Sequence, residues 1–144
     1  MAMKLEYGGI RASLAALNPG TVTGNDGHAA GVVLMLDSDG KAGLCTDPTK
    51  ALGLAFDQKD STLNEVDASD METVVIGPAV VLTDQLASGI GIIFAVNDTV
   101  YSDTSGLLSN LQASNALRVG KVLAAEDADG FLKVLLHDPI TKTA

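Results

Sequence analysis

Short apolar runs separated by turn residues set the pattern of this chain. Gly31 to Leu36 reads Gly-Val-Val-Leu-Met-Leu, stops at Asp37-Ser38-Asp39-Gly40, and resumes as Lys41-Ala42-Gly43-Leu44-Cys45. The spacing predicts a hairpin of two buried strands, with Gly40 supplying the positive φ of the turn. Asp47-Pro48 predicts a second turn, and Ala51-Leu52-Gly53-Leu54-Ala55-Phe56 another strand. Glu72 to Ile76 and Ala79 to Leu82 read as strands interrupted at Gly77-Pro78. Proline cannot donate to a ladder, so this junction is expected at an edge, a bulge or a corner. Gly89 to Val96 and Thr99 to Ser102 follow as strands about an Asn97-Asp98 turn, then Val119 to Leu123 and Phe131 to Leu136. Ser109 to Leu117 stays open: Leu108, Leu111 and Leu117 allow a helical face, while its Ser, Asn and Gln favour a loop. Turn signals recurring about every ten residues between Val-, Ile- and Leu-rich runs are the mark of antiparallel strands. The expected fold is all-β, a small barrel in one domain.

The first residues break the pattern. Arg11 to Leu17 is compatible with a short helix that must end at Asn18-Pro19-Gly20, and the rest is mostly Gly, Thr and Asn. Residues 1–25 are therefore read as an extended N-terminal arm and residues 26–144 as the domain. Asp57 to Asp70 is polar, acidic and aperiodic, which predicts a long loop.

There is also a faint internal echo. Val32 to Gly40 leads, after a gap, to Ala51-Leu52-Gly53-Leu54-Ala55; Thr99 to Gly106 leads to Arg118-Val119-Gly120-Lys121-Val122. Each half supplies a strand, an acidic turn ending in Gly, a spacer, and a strand with an internal Gly. Two such halves can pair into a closed or nearly closed barrel with few free edges.

Composition narrows the function. The chain is 47% hydrophobic but 3% aromatic, with no Trp, so its core must be assembled from Val, Leu, Ile and Ala. Nine Lys and Arg against eighteen Asp and Glu give a net charge of -9, which argues against nucleic acid and against anionic membranes as partners. No apolar run approaches the roughly 20 residues of a membrane-spanning helix. A single cysteine, Cys45, excludes an internal disulfide framework, and the opening residues have no apolar segment of the signal-peptide kind. A protein made in a reducing cytoplasm is expected.

Catalytic sets are hard to assemble from these residues. His28 and His137 are the only histidines; His137 reads as a strand-end surface residue and His28 as a loop residue, and Cys45 as a small buried hydrophobe. No nucleophile elbow or phosphate-binding glycine loop is present. Asp37-Ser38-Asp39-Gly40 and Asp127-Ala128-Asp129-Gly130 begin like calcium loops, but Lys41 and Phe131 occupy the next ligand position. The same residues also make plain hairpin turns. Asp57, Asp60, Glu65, Asp67, Asp70 and Glu72 could supply a carboxylate pair for acid/base chemistry, although a solvated loop explains them more simply. No cofactor, metal or catalytic residue is expected.

Taken together, Gly31-Val32-Val33 to Asp39-Gly40, Ala51 to Ala55, Pro78 to Asp84, Asn97 to Ser102, Gly106 to Ser109 and Val119 to Leu123 resemble the head decoration proteins of tailed bacteriophages, also called capsid cement or stabilisation proteins. The resemblance spans roughly Gly31 to Asp138. It implies a β-tulip-like domain on the outer capsid surface of the virion, bridging major capsid protein subunits as a homotrimer, with residues 1–25 as an arm laid over the capsid. The rival expectation is a carbohydrate- or receptor-binding β-module of a phage fibre or baseplate, for which the supply of aromatic rings is small.

Overall fold

The computed structural model describes residues 3–15, 28–56, 71–89, 91–112 and 114–142. The described residues hold nine strands and no α-helix: β1 (Met3–Ala15), β2 (Val33–Leu36), β3 (Ala42–Leu44), β4 (Ala51–Ala55), β5 (Met71–Thr83), β6 (Thr99–Ser102), β7 (Leu108–Ser109), β8 (Leu117–Ala124) and β9 (Leu132–Lys142). A 3₁₀ turn at Pro48–Lys50 precedes β4, with Asp47 as its N-cap. The strands form one curled antiparallel sheet in the order β3-β2-β4-β5-β9-β8-β6-β7, and β1 joins from outside that path by pairing with β5. The protein is all-β, with a half-barrel sheet around a single main core.

The order reads the same from either end once β2 is equated with β6, β3 with β7, β4 with β8 and β5 with β9. The chain therefore contains two copies of one four-strand unit, related by an approximate two-fold axis between β5 and β9. Backbone bonds repeat with it. Gly31 donates to Ala55 and Ala55 to Val32, both at 2.8 Å; Asn97 donates to Val122 and Val122 to Asp98, both at 2.9 Å. Gly31 and Asn97 share a positive φ, 93° and 77°. Each unit also presses an internal glycine onto its neighbour. A side chain at Gly53 would collide with the Val75 carbonyl, and one at Gly120 with that of Leu135. The echo in the sequence is thus structural.

Acidic turns repeat as well. Asp37 Oδ1 accepts from the amides of Asp39 and Lys41, both at 2.9 Å. Asp103 Oδ1 accepts from Ser105 and Leu107 at 2.8 and 2.9 Å, and Asp127 Oδ1 from Asp129 and Phe131 at 2.9 and 3.0 Å. In all three the fourth residue is Gly, at φ of 79°, 78° and 85°, the left-handed region that glycine enters without a steric cost. The carboxylate replaces backbone partners that a tight turn leaves missing.

Alternation fills the core. Val33, Leu54, Val75, Val81, Val100, Leu108, Val119, Val122, Leu132, Val134 and Leu136 form one buried cluster, joined by the ring of Phe94. A smaller cluster of Val32, Leu34, Ala42, Ala55 and Val74 packs on the other side of the first unit. The two ends of the sheet approach each other where Val33 donates to the Gly106 carbonyl at 2.7 Å. That bond ties β2 to the turn that precedes β7.

At Gly77-Pro78, a cis peptide, β5 changes partner: it pairs with β4 at Val74 and Val75, and with β9 from Ala79 to Thr83. Pro78 sits in the gap, where no ladder donor is needed, and β1 slips register opposite it, between Gly8 and Ile10. The junction is a corner with a bulge, as proline demands.

Three expectations are corrected. Arg11 to Ala15, read as helix-compatible, belongs to β1 and pairs with Met71 to Val75; pairing along an available edge overrides weak local propensity. The described residues of Gly89 to Val96 form no strand. Residues 92–95 are irregular, with Phe94 buried while Ile93 is 82% exposed. The segment is tied by local bonds, Ala95 donating to Asp98 Oδ2 at 2.9 Å and Asn110 Nδ2 to the Ile93 carbonyl at 2.8 Å. Anchoring one ring in the core leaves no ladder to join. Lastly, β9 runs on past Leu136, so His137 lies within a strand rather than at its end. Among its described residues, the open segment after Ser109 forms neither helix nor strand before β8 begins at Leu117. The Asn18-Pro19-Gly20 break and the acidic loop residues Asp57, Asp60, Glu65, Asp67 and Asp70 lie outside the described residues; Glu72 is in β5 opposite Leu14.

Candidate functional site

Each residue with chemical potential finds a structural place. Cys45, one step past β3, is buried; its Sγ donates to the Asp47 carbonyl at 3.3 Å, and burial pushes the thiol above its ordinary pKa. A thiol held protonated is a poor nucleophile. His28 is buried, with Nδ1 3.0 Å from the Ala29 carbonyl. His137 lies in β9, where partial burial and the positive charges of Arg118 and Lys121 hold its imidazole below the ordinary value. The structure brings none of these three together as a nucleophile and base.

The carboxylates of the turns are occupied too. Asp37 and Asp127 each spend Oδ1 on two backbone amides, the geometry of a hairpin turn. Among the described residues no three His, Cys, Asp or Glu side chains gather as metal ligands.

Surfaces are more informative than side-chain clusters. The longest lies at β1. Eleven of its thirteen residues pair with β5, and among the described residues β1 pairs with nothing else, so its outer edge presents backbone donors and acceptors. Such an edge is a template for a further strand. Sequence reading placed an arm here but could not show where it lies, since strand partners are chosen by tertiary fit.

A second feature is an open groove of about 360 Å³ beside β6 and β7. Ser88, Ser102, Asp103, Thr104, Ser109 and Gln112 supply its polar lining, and no aromatic side chain is among the described residues that line it. It brings together residues from the 3₁₀ turn, β6, β7 and the loops after β5 and β7, which no local motif announces. No helix among the described residues is long and apolar enough to cross a membrane. Comparison with protein-family models, with curated proteins and with solved structures returned no match.

Proposed function

We propose that the protein is a structural virion component: a decoration protein that binds the outer surface of an assembled phage capsid and stabilises it by bridging major capsid protein subunits, in homotrimeric copies and without catalysis. One observation carries this reading. β1 is a strand that lies outside the main sheet path, attached along β5 through backbone pairing, with its far edge unpaired among the described residues. Strand addition gives affinity through main-chain hydrogen bonds while asking little of side chains. The curled half-barrel behind it, packed with aliphatic residues, is a stiff body on which to carry such a strand.

The test is cosedimentation of purified protein with expanded, undecorated heads of the phage that encodes it. Full-length protein is expected to pellet with the heads at saturating stoichiometry and to raise their resistance to heat, whereas protein lacking residues 1–25 is expected to remain in solution. Full-length protein that stays in the supernatant would overturn the proposal.

A second reading, a carbohydrate- or receptor-binding module, draws on the hydroxyl-rich groove beside β6 and β7. Its lack of stacking rings weakens it, because sugar sites commonly use aromatic faces. A glycan array in which Ser102→Val or Gln112→Ala abolishes a hit would place this reading first.

A further inference from the structure

On a chain of net charge -9, the outward face of β1, β5, β9 and β8 carries the opposite sign. Strand register aligns Lys4, Leu82 and Lys133 across one row, and Val80, Leu135 and Lys121 across the next. Their chain neighbours Leu5, Val81, Val122, Leu132, Val134 and Leu136 pack in the core, so alternation turns the aligned residues outward. One step further along β9 lies His137, close enough to Arg118 and Lys121 to feel both charges. The carboxylate among them is Glu6, paired with Lys133 at 3.2 Å. Thus register places three of the nine Lys and Arg on this face, with Arg118 beside them further along β8, while Asp37, Asp39, Glu126, Asp127 and Asp129 sit on turns at strand ends. Half-buried Val80, Leu82 and Leu135 run between the cations.

We propose that this face docks an acidic polypeptide segment, the aliphatic row receiving its apolar side chains and Lys4, Lys121, Lys133 and Arg118 its carboxylates. Charge complementarity selects the class of partner. A nucleic acid or an anionic membrane extends well beyond the face and would bring its phosphates against Glu126, Asp127 and Asp129 on the turn that joins β8 to β9, within the ~8–10 Å over which charges are felt at moderate salt. A segment a few residues long meets only the cationic part.

The experiment titrates full-length, isotope-labelled protein with a poly-glutamate peptide and follows amide shifts. Expected are shifts confined to β8, β9 and the paired halves of β1 and β5, saturable at low salt and lost as salt rises. K121E/K133E is expected to weaken binding by about tenfold or more, and the milder K121Q/K133Q to weaken it in the same direction should the reversal disturb folding. K41E/K50E, which changes net charge equally at sites off this face, is expected to leave binding within about twofold. The proposal is overturned by no binding, by equal losses in the two charge-reversal variants, by shifts elsewhere, or by tighter binding of an oligonucleotide or of phosphatidylglycerol vesicles. Self-association through the face, seen in light scattering as a mass that falls in K121E/K133E, would also overturn it. No capsid enters this assay, so its failure leaves the capsid reading untouched, and the reverse holds for the cosedimentation test.

Discussion

Adding one methyl group at Gly120 tests the close approach of β8 and β9. An alanine Cβ there would stand 2.5 Å from the Leu135 carbonyl oxygen and 2.8 Å from Val134 Cγ1, against the ~3.5 Å at which such atoms pack comfortably. Neither neighbour can swing aside, since one is backbone in a ladder and the other a fully buried valine. The strands must separate. Overpacking of this kind costs about 1–3 kcal/mol, and a stretched ladder bond about 1 kcal/mol more. Stiffening the unfolded chain returns about 0.4–1 kcal/mol. Gly120→Ala is therefore expected to destabilise the protein by about 2 kcal/mol, a large share of the ~5–15 kcal/mol that holds a domain together. Gly40→Ala serves as the comparison: its φ is 79° but nothing lies within 4 Å of the new atom. Only the left-handed backbone is penalised there, by roughly 1–2 kcal/mol before the same entropic return of about 0.4–1 kcal/mol. Urea titration followed by circular dichroism measures both, with the slope m required to stay constant. Gly53→Ala, at the matching place in the other unit, is expected to behave like Gly120→Ala. A Gly120→Ala protein within about 0.5 kcal/mol of the parent, or more stable than Gly40→Ala, would refute the reasoning.

Three further outcomes follow from the same geometry. His137 has a lowered pKa in the folded protein, so the unfolded chain binds its proton first and folding stability falls as pH drops below the ordinary value of about 6.5; His137→Gln is expected to flatten that slope in thermal melts from pH 7 to 5, and an unchanged slope would count against it. Cys45 is expected to resist a thiol reagent in the native protein and to react fully once denaturant unfolds it, because burial raises its pKa; rapid native labelling would contradict this. Asp127→Ala removes the acceptor for two turn amides and is expected to cost about 1 kcal/mol in urea titrations, with Asp127→Asn recovering part of it.

What could be read in advance follows from how local each signal is. The Asp37 and Asp127 turns were legible because acceptor, amides and glycine all fall within five consecutive residues. The hairpin before Cys45 and the strand at Thr99 to Ser102 were legible because alternation and turn chemistry agree. Gly53 and Gly120 hinted at a repeat through their spacing, but the palindromic strand order needed the pairing itself. The strand character of Arg11 to Ala15 was hidden, since its cause is the edge of β5 some sixty residues away. Gly89 to Val96 misled because an apolar run looks alike whether every second residue or one Phe94 reaches the core. The cationic face was invisible for a related reason: Lys4 and Lys133 belong to one row only through their shared neighbour Leu82.

The arrangement of β1, β5 and β9 has a mechanical consequence. Met3 lies opposite Thr83 on one side of β5, and Leu132 opposite Thr83 on the other, so β1 and β9 flank β5 in the same direction. Tension between Met3 and Lys142 then drags the two flanking strands oppositely along β5, loading their ladder bonds together in shear. The same β1 ladder pulled sideways from Met3 opens like a zipper, one pair at a time. Resistance to force is governed by the rate of the limiting rupture rather than by equilibrium stability, so this protein should be stiff along the strands and readily peeled across them.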